Sequence, residues 1–227
     1  MKRYEDTLLA LIAGYVDTVG FVALFGLFTA HVTGNFVLIG AEVAGVGQGV
    51  LLKLLAFPSF IVGIVLSSVF FKFLERRHPA DASSALYLLQ AALLVSFLVT
   101  GALALPVTDA SAPMVLLCGV LGTTAMGVQN ARGKLLQSPG LPNTVMTGNV
   151  TQIVLDVVEL LHRGTQGDHA RQVSSRLKST LAAMLGFALG AIGGALAYTR
   201  FSFPAIVLPV AVLLWMAWQQ RSTQPLN

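Results

Sequence analysis

Three carboxylates stand in stretches that are otherwise apolar: Asp17, Glu42 and Asp156. A carboxylate inside a bilayer costs about 2.5–3.5 kcal/mol on insertion scales, which makes a functional role the default reading. Such groups carry protons or ligate cations when a cavity alters their hold on a proton. Glu42 and Asp156 share a spacing, each falling seven residues after the Asn of a Thr-Gly-Asn triplet, Thr33-Gly34-Asn35 and Thr147-Gly148-Asn149. Upstream, Gly14-Tyr15-Val16-Asp17 answers Gly127-Val128-Gln129-Asn130, with 18 residues from Asp17 to Asn35 and 19 from Asn130 to Asn149. A lone tripeptide recurs by chance. Tripeptide, acid and upstream motif at matching spacing describe two copies of one unit.

Thr and Asn cap helix N-termini with their side-chain oxygens, and Gly permits irregular backbone. A helix that starts within a membrane needs both, because bare backbone survives there only under protein or water. Its N-terminus also offers free N–H groups and partial positive charge. Asp17, Thr33, Asn35, Asn130, Thr147 and Asn149 are therefore the expected lining of a central polar site, with Glu42 and Asp156 near its mouths. The plainer alternative, that Thr and Asn only cap and glue helices, stays open. So does interfacial solvation for Glu42 and Asp156, whereas Asp17 lies too deep for it. His31 is a proton shuttle or a capping, pore-lining polar group. No metal spacing, cofactor loop or nucleophile–base–acid set is present, so no metal, cofactor or enzymatic reaction is expected. The one cysteine, Cys118, excludes an intramolecular disulfide.

The elements that must position these residues are membrane helices. The chain of 227 residues is 55% hydrophobic and 11% charged, with mean hydropathy +0.77. Soluble domains carry about 25% charged residues, so this is a polytopic membrane protein. Its 14 Lys and Arg against 10 Asp and Glu reflect positive cytoplasmic loops rather than nucleic-acid binding. The apolar run after Lys2 and Arg3 is interrupted by Asp17 and reads as a retained first span, not a signal peptide.

A crossing helix needs about 20 residues. Segments 7–28, 51–71, 85–105, 113–130, 179–198 and 201–218 qualify; 29–50 and 143–161 are too short or too polar. Two prolines make 137–142 irregular, and 162–178 is hydrophilic. If the two doubtful segments are re-entrant, Lys2, Arg3, Lys72, Arg76, Arg77, Arg132, Lys134, Arg163, Arg171, Arg176, Lys178 and Arg221 share one side. Lys53 and Arg200 then take the other. If both cross, Arg76, Arg77, Arg132 and Lys134 change sides and the bias fades, so the positive-inside rule favours six crossings with cytoplasmic termini. The expectation is an all-α membrane protein, one integral domain over 1–227, with six transmembrane helices plus two short re-entrant or broken helices. Three crossings per unit make an inverted 3+3 pseudo-repeat of halves 1–105 and 113–227. The glycines at 186, 190, 193 and 194 are expected to mark close helix contact. The chain between the first span and Thr33 looks short for re-entry.

Gly14-x-x-Asp17, His31-Val32-Thr33-Gly34-Asn35, Gly127-Val128-Gln129-Asn130 and Met146-Thr147-Gly148-Asn149, in this order, resemble the YoaK family. This is a domain-of-unknown-function group of small multi-pass bacterial membrane proteins. The resemblance covers nearly the whole chain. It implies a bacterial inner-membrane location and no particular substrate.

The functional expectation is a small-solute transporter or channel, with a small molecule or ion and the bilayer as partners and the oligomeric state open. Asp17, Glu42, Asp156 and His31 are the candidates for proton or ion coupling. Permanent interior charge is expected to be acidic only, which favours protons or a cationic or neutral solute. Two rivals stand beside it: an intramembrane enzyme using His31 and Asp17, and a structural or assembly protein with no polar cavity.

Overall fold

The computed structural model describes residues 2–136, 146–162 and 166–222; the stretch 137–142 and Arg163 lie outside them. The described residues form α1 (Lys2–Ala23), α2 (Gly34–Val43), α3 (Val50–Arg77), α4 (Pro79–Leu103), α5 (Pro113–Leu135), α6 (Met146–Leu161), α7 (Gly167–Phe201) and α8 (Val207–Ser222). A 3₁₀ turn, Phe203–Ile206, leads into α8. Proline opens α4 and α5, where its missing N–H costs nothing. Among the described residues six helices are long and apolar enough to cross a membrane: Tyr4–Ala23, Val50–Arg77, Asp81–Leu103, Pro113–Leu135, Gly167–Phe201 and Phe203–Ser222. Large apolar side chains such as Val69, Leu189 and Leu196 face outward, as lipid requires and water would penalise. The core lies among α1, α4, α5 and α8, around Ile12, Val16, Leu94, Phe97, Met126 and Leu213.

Two helix pairs approach most closely, α1 with α7 and α3 with α5. Glycine permits both. A methyl carbon at Gly14 would fall well inside contact distance of the Phe187 carbonyl oxygen, and one at Gly190 would strike that of Leu11. Gly186 and Gly194 meet the Thr7 and Tyr15 carbonyls, so α1 and α7 run parallel, while Gly193 has open space. In α3 and α5, Gly127 presses on the Phe60 carbonyl and Gly63 on that of Thr124.

Polar contacts set the direction of the rest. Glu5 pairs with Arg132 and the Gln129 amide donates to the Leu9 carbonyl at 2.8 Å, so α1 and α5 are antiparallel. Gln220 donates to Ser83 at 2.6 Å while Phe203 lies against Gly101, so α4 and α8 are antiparallel too. Glu5 and Gln220 both reach Arg132. The beginning of α1 and the end of α8 therefore share one end of the bundle, the Glu5 end.

The first span is shorter than the sequence suggests, and that resolves the shortage of chain before Thr33. Phe25 (φ 51°) and Gly26 (φ 79°) leave the helical region, ending α1 at Ala23. Residues 24–33 then fold back along α1. The Lys53 ammonium near the start of α3 donates to the Phe25 carbonyl at 2.7 Å and pairs with Glu42 near the end of α2. Helix α2 thus starts beside α1 and finishes level with the C-terminal end of α1. Helix α6 docks on the first turns of α7, at the Glu5 end, through Asp156–Arg176 and Glu159–His169. The expected hydrophilic stretch 162–178 is largely the beginning of α7, which reaches back to Gly167.

Candidate functional site

Asp17 is 4% exposed, and the returning loop supplies its partners. One carboxylate oxygen accepts from the Ala30 backbone N–H at 2.7 Å and the Thr29 hydroxyl at 3.3 Å. The other lies 2.7 Å from His31 Nδ1. Where Asp17 is ionised it only accepts, which assigns the proton of this bond to Nδ1 and leaves Nε2 for other use. The His31 side chain is 33% exposed.

The triplet that follows does not behave as a cap. Thr33 makes no side-chain hydrogen bond to the start of α2. Instead the N–H groups of Gly34, Asn35 and Phe36 bond to the carbonyls of His31, Val32 and Thr33 at 2.8, 3.2 and 3.2 Å. Asn35 turns its amide to Phe28, accepting from its N–H at 3.0 Å and donating to its carbonyl at 2.8 Å. A cavity of about 640 Å³ opens over this ground, lined by Asp17, Thr18 and Phe21 of α1, by Phe28, His31, Thr33 and Gly34, and by Phe187 of α7.

Of the residues expected at a central site, this cavity gathers Asp17, His31 and Thr33, with Asn35 buried next to Gly34 in the wall. Asn130 lies half-buried near the end of α5, and on α6 Thr147 is exposed while Asn149 is 2% exposed. None of these three lines the cavity. Glu42 and Asp156 are already engaged. Lys53 pairs with Glu42, and the Arg176 guanidinium grips both Asp156 oxygens through Nε at 3.0 and 3.1 Å. Each acid seven residues past its Asn thus takes a cation from the next long helix.

The expectation of purely acidic interior charge is overturned. Lys53 is 2% and Arg132 4% exposed. Arg132 pairs with Glu5 and lies over the Tyr87 ring, 3.9 Å from its centre. This pairing has no local signal in the sequence, because Glu5 and Arg132 stand 127 residues apart. Lys53, inside an apolar run, carried the same warning as Asp17. Phe21, Phe28 and Phe187 gave none, since apolar rings in a membrane helix are ordinary. Among the described residues no group of three or more His, Cys, Asp or Glu is placed to hold a metal.

The family model described as a protein of unknown function (DUF1275) matches residues 7–218. The chain belongs to the DUF1275 family. It is 29% identical over 217 residues to the UPF0700 transmembrane protein YoaK of Bacillus subtilis (strain 168), covering 92% of this chain and 91% of that one. No solved structure matches the chain. The residues matched span the glycine motifs and triplets of both halves, and His31 of the first.

Proposed function

We propose that this DUF1275 protein is a small-solute transporter or channel of the bacterial inner membrane. The observation that carries the proposal is the buried Asp17–His31 pair opening into the cavity between α1, α7 and the start of α2. A half-buried imidazole bonded to a buried carboxylate exchanges protons with whatever fills that space, which suits proton coupling. Among the described residues His31 hydrogen-bonds to Asp17 and to no hydroxyl or thiol. It is therefore read as a binding and proton-carrying group, not as the base of a catalytic set.

The proposal takes the two halves as inverted copies, and two sequence offsets support that reading. One offset of 113 residues carries Leu11 to Thr124 and Gly14 to Gly127; another, of 127, carries Phe60 to Phe187 and Gly63 to Gly190. These are the partners in the glycine contacts of the two helix pairs. The helices these offsets relate, α1 and α5, are antiparallel, and α2 and α6 sit towards opposite ends. Inverted units that bring short helices to a shared centre are a transporter architecture. In this reading α2 and α6 are re-entrant, and Asn130, Thr147 and Asn149 hold the place in the second half that Asp17, Thr33 and Asn35 hold in the first. Glu42 and Asp156 anchor the two short helices. The positive residues near the end of α3, Arg76 and Arg77, favour a cytoplasmic Glu5 end, and with it cytoplasmic termini.

The test is reconstitution in proteoliposomes with a panel of solutes, with and without an imposed pH gradient. Saturable uptake lost in Asp17→Asn is expected. A panel of cationic, neutral and anionic solutes that all fail to move, in vesicles holding folded protein, would retire the proposal.

A further inference from the structure

Four rings border the cavity beside Asp17. Phe21 and Phe28 have centres 4.9 Å apart, His31 lies 6.3 Å from Phe28, and Phe187 meets His31 edge-on at 5.2 Å. The remaining lining is Asp17, Thr18, Thr33 and Gly34, so among the described residues no Lys or Arg borders the space. An anion finds little here, because the N–H groups at the start of α2 are spent on loop carbonyls and Asp17 repels it. A neutral polar solute finds the Thr18 and Thr33 hydroxyls and the outer nitrogen of His31, and draws nothing from the Asp17 charge. What the lining offers is negative charge behind aromatic rings, the chemistry that holds ammonium groups.

Resting on the site proposed above, we infer that the cavity binds an organic ammonium group, with Asp17 as counter-charge and Phe21, Phe28 and Phe187 as the wall. A fully substituted ammonium needs no hydrogen bond, so the occupied carboxylate does not obstruct it. The volume of about 640 Å³ admits a choline-sized group with room for its substituent.

The test is isothermal titration of the full-length protein in detergent with choline, with 3,3-dimethylbutanol as its uncharged isostere, and with acetate. Choline is expected to bind roughly tenfold or more above the isostere. Asp17→Asn should lose this preference; because Asp17 also holds the loop, Phe187→Leu serves as second variant, keeping an apolar side chain while weakening choline roughly fivefold. Dihexanoylphosphatidylcholine separates the sources. Binding of choline itself places the ligand free in solution, and binding of the lipid alone places it on a headgroup; both uphold the ammonium site. Equal binding of dimethylbutanol, preference for acetate, or no binding of either choline compound overturns it. Choline binding without flux would sink the transport proposal alone, and Asp17-dependent flux of a neutral solute without choline binding would sink this inference alone.

Discussion

Asn35 closes both backbone hydrogen bonds of Phe28, one as acceptor and one as donor. The Asn of the first triplet is thus a brace. It holds the turn from which Thr29, Ala30 and His31 reach Asp17, so the chemistry of the site depends on a side chain that does not itself touch the carboxylate.

Asn35→Ala leaves a buried N–H and carbonyl without partners, each costing about 1–3 kcal/mol. The expected outcome is a clear fall in melting temperature in detergent, with choline binding weakened in parallel. Asn35→Asp retains the bond to the Phe28 N–H and sets an acceptor against the carbonyl, so it should not rescue. Full stability in Asn35→Ala would show that the brace is idle.

Lys53 and Glu42 form a buried pair, with a second Glu42 oxygen that has no hydrogen-bond partner among the described residues. Lys53→Met strands the carboxylate and should cost about 3–5 kcal/mol. Adding Glu42→Gln removes the stranded charge and should recover most of that loss. A double-mutant cycle by chemical denaturation reads this directly; additive effects would mean the pair is not coupled.

Gly14→Ala and Gly127→Ala should damage the protein to a similar degree, because each drives a methyl group into a carbonyl across the closest helix contacts. Overpacking of this kind costs about 1–3 kcal/mol. Gly193→Ala meets open space and serves as the neutral control. Melting curves of the three variants make the comparison, and strongly unequal effects at Gly14 and Gly127 would weaken the case for equivalent halves.

Orientation is open to thiol labelling, since Cys118 is buried and Cys118→Ala leaves a clean background. Val46→Cys, in the exposed turn after α2, should react with an impermeant reagent added outside cells. Arg77→Cys, at the end of α3, should react only after the membrane is opened. Labelling of both from one side would require α3 to be placed differently.

Composition in the chain already determined an all-helical membrane protein with six long apolar helices among the described residues, because lipid demands long apolar helices. The prominence of Asp17 and of the paired triplets was equally legible, since a carboxylate in an apolar run declares its cost wherever it lies. Only the tertiary structure decided what those residues touch. It ended α1 at Ala23 and folded the loop back onto Asp17, gave Glu42 and Asp156 their cations, buried Arg132 against Glu5, and brought Phe187 of α7 beside His31. Those are contacts between different elements, fixed by how the chain turns and how its helices pack, and periodicity along one chain carries no trace of them.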